Sequence, residues 1–83
     1  MNPPDVRSTI IDVLSVTLRV PANRISDDFS SAQCKTWDSV KHLMIMLAIE
    51  EKFSIVFDEK ELSDLTTFAG IAGAVRAHLT RRQ

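Results

Sequence analysis

The segment Thr36-Trp37-Asp38-Ser39-Val40-Lys41-His42 carries the residues best equipped for chemistry. Ser39 offers a hydroxyl, and His42 stands three residues on as the nearest candidate base. A nucleophilic serine needs a base oriented by a third group and an oxyanion site, and the hydrolase elbow also wants glycines around the serine. Here the neighbours are Trp37, Asp38, Val40 and Lys41, and a helical wheel turns His42 toward an apolar strip, where a lone histidine is usually structural. What the position favours instead is negative charge on the serine oxygen. Asp38 is placed to cap a helix that starts there, and the free amides of a first turn, together with the helix dipole, attract an anion. A phosphate ester on Ser39 suits that setting, and no residue is assigned a catalytic role.

Four helices must position this serine. Val6, Ile10, Val13 or Leu14, and Thr17 or Leu18 recur at helical spacing, which predicts a first helix over about residues 4–19. Pro3 and Pro4 suit its first turn, and Pro21 disfavours helical geometry at Val20. From Pro21 to Trp37 the chain is rich in Ser, Asp, Asn and Gln and reads as a long loop, anchored by Val20, Ile25 and Phe29, with a short turn around Ser26 to Phe29. A loop of this length in a small domain points to function. The second helix runs over about 38–53. A third, short helix over 58–63 has Asp58 as cap, Glu61 closing a capping box and Phe57 packing on Leu62 as a staple. The last, over 67–79, presents Phe68, Ile71, Ala72, Val75 and Leu79 on one face, with Arg76, His78, Arg81 and Arg82 near its C-terminal end. Alternating apolar and polar runs are missing, so the expected fold is all-α. It is a small four-helix bundle of three longer helices and one short one, with a long loop between helices one and two, forming one domain over 1–83.

Composition excludes several classes. A chain of 83 residues with net charge −1 has little material for an enclosed catalytic cleft and lacks the basic excess of a nucleic-acid binder. Glu50, Glu51 and Lys52 end the longest apolar run well short of a membrane span. Met-Asn-Pro-Pro-Asp does not read as a signal peptide, so a cytoplasmic location is expected. The lone Cys34 rules out an internal disulfide and a cysteine-based metal cage, and no metal site is expected.

Helix two is oilier than one core requires. On a wheel, His42, Ile45, Met46, Ile49 and Phe53 fall on one strip, while Val40, Leu43, Met44 and Leu47 fall on another, beside Glu51. Two readings of the second strip stand. A central helix of a small bundle can bury both strips, or the second can be a docking face made adaptable by methionine.

Asp38-Ser39-Val40 followed by Leu43, Leu47, Glu50-Glu51 and Phe53, then Ile55, Phe57, Leu65-Thr66-Thr67 and Ile71, resembles the acyl carrier protein family over almost the whole chain, from about Val6 to Leu79. The resemblance implies that Ser39 receives 4'-phosphopantetheine covalently from coenzyme A, the arm's thiol carrying an acyl or aminoacyl group as a thioester. It also implies a monomer with no activity of its own. The implied partners are a holo-carrier-protein synthase, which is a phosphopantetheinyl transferase, an acyl- or aminoacyl-loading ligase, and acyltransferase or synthase enzymes. Val40, Leu43, Met44, Leu47 and Glu51 would then be the partner-binding face, with the acids Asp58, Glu59, Glu61 and Asp64 available to basic partner residues.

The sequence departs from the family pattern before and after the serine. Thr36-Trp37 stand where a glycine commonly precedes the motif, and Lys41 and His42 replace a more acidic opening. The Trp-Asp-Ser form is similar to stand-alone carriers of specialised lipid, D-alanyl or secondary-metabolite pathways rather than of housekeeping fatty acid biosynthesis. Trp37 either lines the base of the arm or, the favoured reading, packs as a helix staple on a residue one turn later. Gly70 and Gly73, each costing about 1 kcal/mol of helix stability relative to alanine, imply close approach of a neighbouring helix, or else a helix that yields to admit an acyl chain. An unmodified helical interaction module using the oily strip is the alternative function, and an esterase built on Ser39 the weakest.

Overall fold

Asp5 begins the first helix of the computed structural model, which describes residues 5–81. Its carboxylate accepts a hydrogen bond of 2.9 Å from the Ser8 amide and caps α1, Val6–Leu18. Hydrogen bonds from the Ser8 side chain and amide hold the Asp5 carboxyl below its ordinary range. Because the folded value is the lower one, this cap contributes stability above the ordinary carboxylate range and loses it as pH falls through the lowered value. The helix expected from residue 4 thus starts at Val6, since the side-chain cap fixes the boundary; Pro3, Pro4 and Arg82 lie outside the described residues. Its far end comes one residue early, because Arg19 has left-handed backbone (φ 58°) and donates its amide back to Ser15.

The remaining helices are α2, Ser39–Phe53, α3, Glu59–Asp64, and α4, Phe68–Arg81. Together with α1 they make an all-α four-helix bundle, and the described residues contain no strand, only an isolated bridge between Ser30 and Thr67. Helix α3 shows both halves of the capping box: Asp58 accepts from the Glu61 amide, and the Glu61 carboxylate accepts from the Asp58 amide. At α4, the Thr67 hydroxyl accepts from the Gly70 amide at 2.9 Å. Thr67 therefore stands as the cap with the helix beginning at Phe68, and α4 runs two residues past the expected Leu79. Helix α2 ends as α1 does, on a non-glycine residue in left-handed geometry, Ser54 (φ 55°), with the Ile55 amide bonded back to Glu50.

The long loop is less irregular than its composition implies. It holds two short 3-10 turns, Ala22–Arg24 and Ser31–Gln33, and the expected turn from Ser26 to Phe29 closes with a 3.0 Å backbone bond. Ile25 and Phe29 are buried and Val20 packs against the core, so all three expected anchors hold. Polar ties reinforce them. Ser31 donates its amide to Thr66 and Phe68 to Phe29, both at 2.9 Å, joining the loop to the entry of α4. Arg7 pairs with Asp27, and its guanidinium lies 5.1 Å over the Phe68 ring.

The core collects Ile10, Val13, Leu14 and Leu18 from α1, Ile45, Met46, Ile49 and Phe53 from α2, and Phe68, Ile71, Ala72 and Val75 from α4. The two glycines of α4 do not mark a close helix contact, contrary to the expectation from their type. A Cβ on Gly73 would meet nothing within 4 Å, and one on Gly70 would meet the capping oxygen of Thr67 at 2.9 Å. The small residue at 70 is required by the cap, and the one at 73 by no packing in the structure.

Two expectations follow for urea unfolding. Ile45→Ala, at a site with no exposed surface, should lower stability by about 2–5 kcal/mol, whereas Leu47→Ala one strip away should stay within about 0.5 kcal/mol. Gly73→Ala should raise stability by up to about 1 kcal/mol, and Gly70→Ala should fail to do so, because its methyl group lands on the Thr67 hydroxyl.

Candidate functional site

Ser39 is the first residue of α2, and both it and Asp38 are exposed. The Asp38 side chain accepts from the Lys41 amide at 2.9 Å, and its carbonyl accepts from the His42 amide at 2.8 Å. The Ser39 and Val40 amides have no partner among the described residues. They leave at the mouth of a 15-residue helix the pair of free donors that an anion on Ser39 can use.

The chain reaches this mouth along a bonded path. Thr36 donates its hydroxyl to the Leu18 carbonyl at the end of α1 (3.0 Å) and lies 3.2 Å from the Cys34 sulfur. The Trp37 amide donates to Cys34 and that of Asp38 to Thr36. The end of the loop is thereby fixed to the end of α1 just before the serine.

Trp37 is a buried residue with only 6% of its surface exposed. Its ring stacks between Phe29, at 5.9 Å between centroids, and His42, at 6.1 Å. Trp37 precedes the cap of α2 and His42 is the fourth residue of the helix, so the two occupy the positions of a hydrophobic staple. The staple is polar here. The indole Nε1 donates to His42 Nδ1 at 3.0 Å, and His42 Nε2 lies 2.6 Å from the Leu62 carbonyl of α3. An indole nitrogen only donates and a carbonyl only accepts. The pair of bonds therefore selects the neutral imidazole with its proton on Nε2. With both nitrogens occupied, His42 has no free lone pair for the Ser39 hydroxyl.

Around the serine, Ser31, Trp37, Asp38, His42, Ser63 and Thr66 line an open hollow of about 500 Å³. Hydroxyls from the loop, the end of α3 and the link to α4 share its lining with the rings of Trp37 and His42. Nothing in the sequence pattern announces it, because its walls come from four separate segments.

The outward face of α2 resolves the ambiguity of the two strips. Ile45, Met46, Ile49 and Phe53 are buried and His42 is half-buried, while Val40 (68% exposed), Leu43 (53%), Met44 (48%) and Leu47 (54%) open to solvent beside an exposed Glu51. The second strip is not core. The acidic group around α3 is smaller than its sequence implies, since Glu61 is committed. Besides closing the capping box, its carboxylate lies 2.9 and 3.0 Å from His78 Nε2, and His78 meets the edge of the Phe57 ring at 5.4 Å. His78 stands in the last turn of α4 as expected and from there also ties α4 to α3. Asp58, Glu59 and Asp64 remain exposed. Glu50 is likewise used internally, accepting from the Phe57 amide at 2.7 Å.

Neither a protein-family model nor a curated protein sequence matches this chain.

Ser39→Ala should leave stability within about 0.5 kcal/mol, because the side chain is exposed and makes no hydrogen bond among the described residues. Trp37→Phe keeps an aromatic ring yet strands His42 Nδ1 without its donor, and should cost about 1–3 kcal/mol in the same urea titration.

Proposed function

We propose that the chain is a carrier protein of the acyl carrier type, with 4'-phosphopantetheine attached through a phosphodiester to Ser39. The observation that carries this reading is the exposed serine at the free N-terminus of α2, adjoining on one side a hydroxyl-lined hollow and on the other an exposed apolar strip. The group fits the residues present. The Ser39 and Val40 amides suit the phosphate, and the hydroxyls of Ser31, Ser63 and Thr66 suit the amides of the arm. When attached, the arm supplies a thiol that holds an acyl or aminoacyl group as a thioester. Loading forms a bond from Ser39 Oγ to the pantetheine-side phosphorus of coenzyme A and breaks its pyrophosphate bond, releasing adenosine 3',5'-bisphosphate and passing the serine proton to a base. Because His42 has both nitrogens committed, the base for that step belongs to the transferase, and the chain acts as substrate rather than enzyme.

Val40, Leu43, Met44 and Leu47 with Glu51 form the docking face for the transferase, the loading ligase and the acyltransferase or synthase enzymes that follow. A carrier must leave each partner after one visit, so a small apolar strip with a charged rim suits it better than a large interface. Lys41 and the committed Glu61 make this rim less acidic than the sequence alone implies, which supports clients in a specialised lipid or secondary-metabolite pathway of the cytoplasm. No helix among the described residues is long and apolar enough to cross a membrane.

Incubation with coenzyme A and a broad-specificity phosphopantetheinyl transferase should add one arm by intact-mass analysis, and Ser39→Ala should add none. Leu47→Arg should slow loading about tenfold or more while unfolding at the native urea concentration. An unmodified chain under generous enzyme concentrations would leave only the interaction-module reading of the exposed strip, and labelling of Ser39 by a serine-reactive phosphonate would instead indicate an esterase.

A further inference from the structure

Trp37 and His42, two of the residues lining the hollow beside Ser39, are hydrogen-bonded to each other. His42 lies between a group that can only donate, the Trp37 indole at 3.0 Å, and a group that can only accept, the Leu62 carbonyl at 2.6 Å. The neutral ring with its proton on Nε2 satisfies both. A second proton converts Nδ1 into a donor, and two N–H groups then face each other across the Trp37 contact. The Leu62 side gains by the same event, because a cationic donor strengthens its bond to a carbonyl. Protonation is therefore asymmetric: α3 stays attached and the indole loses its acceptor. Asp38, the one charged side chain sharing the hollow's lining with His42, has a carboxylate oxygen bonded to the Lys41 amide. From α3, Glu61 is engaged by His78 and the Asp58 amide, and Ser63 is uncharged. From the loop and the link to α4, Ser31 and Thr66 are uncharged.

We infer that His42 is a positioning residue with one working protonation state: as the neutral Nε2–H form it fixes Trp37 as the wall of the hollow beside Ser39, and on gaining a second proton it releases that wall. The inference concerns the regulation of the site proposed above, but it does not depend on what Ser39 carries, since the bonds exist in the unmodified chain. Protonation of His42 then changes the shape of the hollow while leaving α2, its cap and the outward strip in place.

Trp37 is the only tryptophan, so its signals report this wall alone. In the full chain, the Trp37 emission and indole proton should shift in step with protonation of His42, followed by NMR of its ring protons. Indole N–H exchange, relative to free tryptophan at the same pH, should speed up about fivefold, with the amides of α3 unaffected. His42→Gln, whose oxygen can accept from Trp37 and whose amide can donate to Leu62, should keep the neutral-pH signals and abolish the transition, while His78→Gln should retain it. Trp37 signals that stay flat as His42 protonates, or an unchanged transition in His42→Gln, would overturn the inference. Should His42→Gln fail to fold, nitrogen NMR of the native ring decides: the proton on Nε2 at neutral pH supports it, and the proton on Nδ1 refutes it. Because no arm is needed for these measurements, their failure leaves loading of Ser39 untouched, and failure to load leaves the wall's proton dependence untouched.

Discussion

A helix of six residues cannot hold itself together in water, and α3 is that long. Everything on its side of the bundle depends on the hydrogen bonds that fasten it to longer neighbours. Those bonds come from the chain's two histidines: His42 of α2 bonds the Leu62 carbonyl, and His78 of α4 bonds the Glu61 carboxylate. The capping box sets where α3 starts, and the histidines, with Leu62 and Leu65 packed against the core, set where it lies. The hollow beside Ser39 is the space between α3, so fixed, and the mouth of α2.

Helix α2 divides its circumference between two tasks. One strip enters the core with no exposed surface at Ile45, Met46 and Ile49, and the other stays open at Val40, Leu43, Met44 and Leu47. Exposed apolar residues at successive turns cost solubility with no return in folding stability, and in the proposed function a partner covers this strip. In the carrier function proposed above, its position along α2 from Ser39 would make a tethered cargo and a docking face parts of one device. The polar residues show the same economy. Glu50, Glu61, His42 and His78 look available in the sequence and are all spent on internal bonds, while Glu51, Asp58, Glu59 and Asp64 stay exposed around α2 and α3, Asp58 as the cap of α3.

Local signals in the sequence were strong where a helix end or an apolar period fixes geometry on its own. The cap at Asp38, the box of Asp58 and Glu61, the loop anchors Ile25 and Phe29 and the staple position of Trp37 all follow from spacing within one turn or from hydrophobicity, and the structure has each of them. The errors arose where residue type was read without its partner. Gly70 and Gly73 implied a close helix contact, but one is small to spare a capping hydroxyl and the other faces open space. The two left-handed helix ends, where glycine would be expected, hold Arg19 and Ser54.

The sequence by itself determined the four helices, the serine at the mouth of the second, and the existence of two apolar strips, because periodicity and capping are properties of a few consecutive residues. Only the tertiary structure decided which strip is covered, which charges are free, and that His42 is held in one tautomer between Trp37 and Leu62. Those outcomes join residues as far as twenty positions apart, and a contact between distant segments leaves no period in the chain to read.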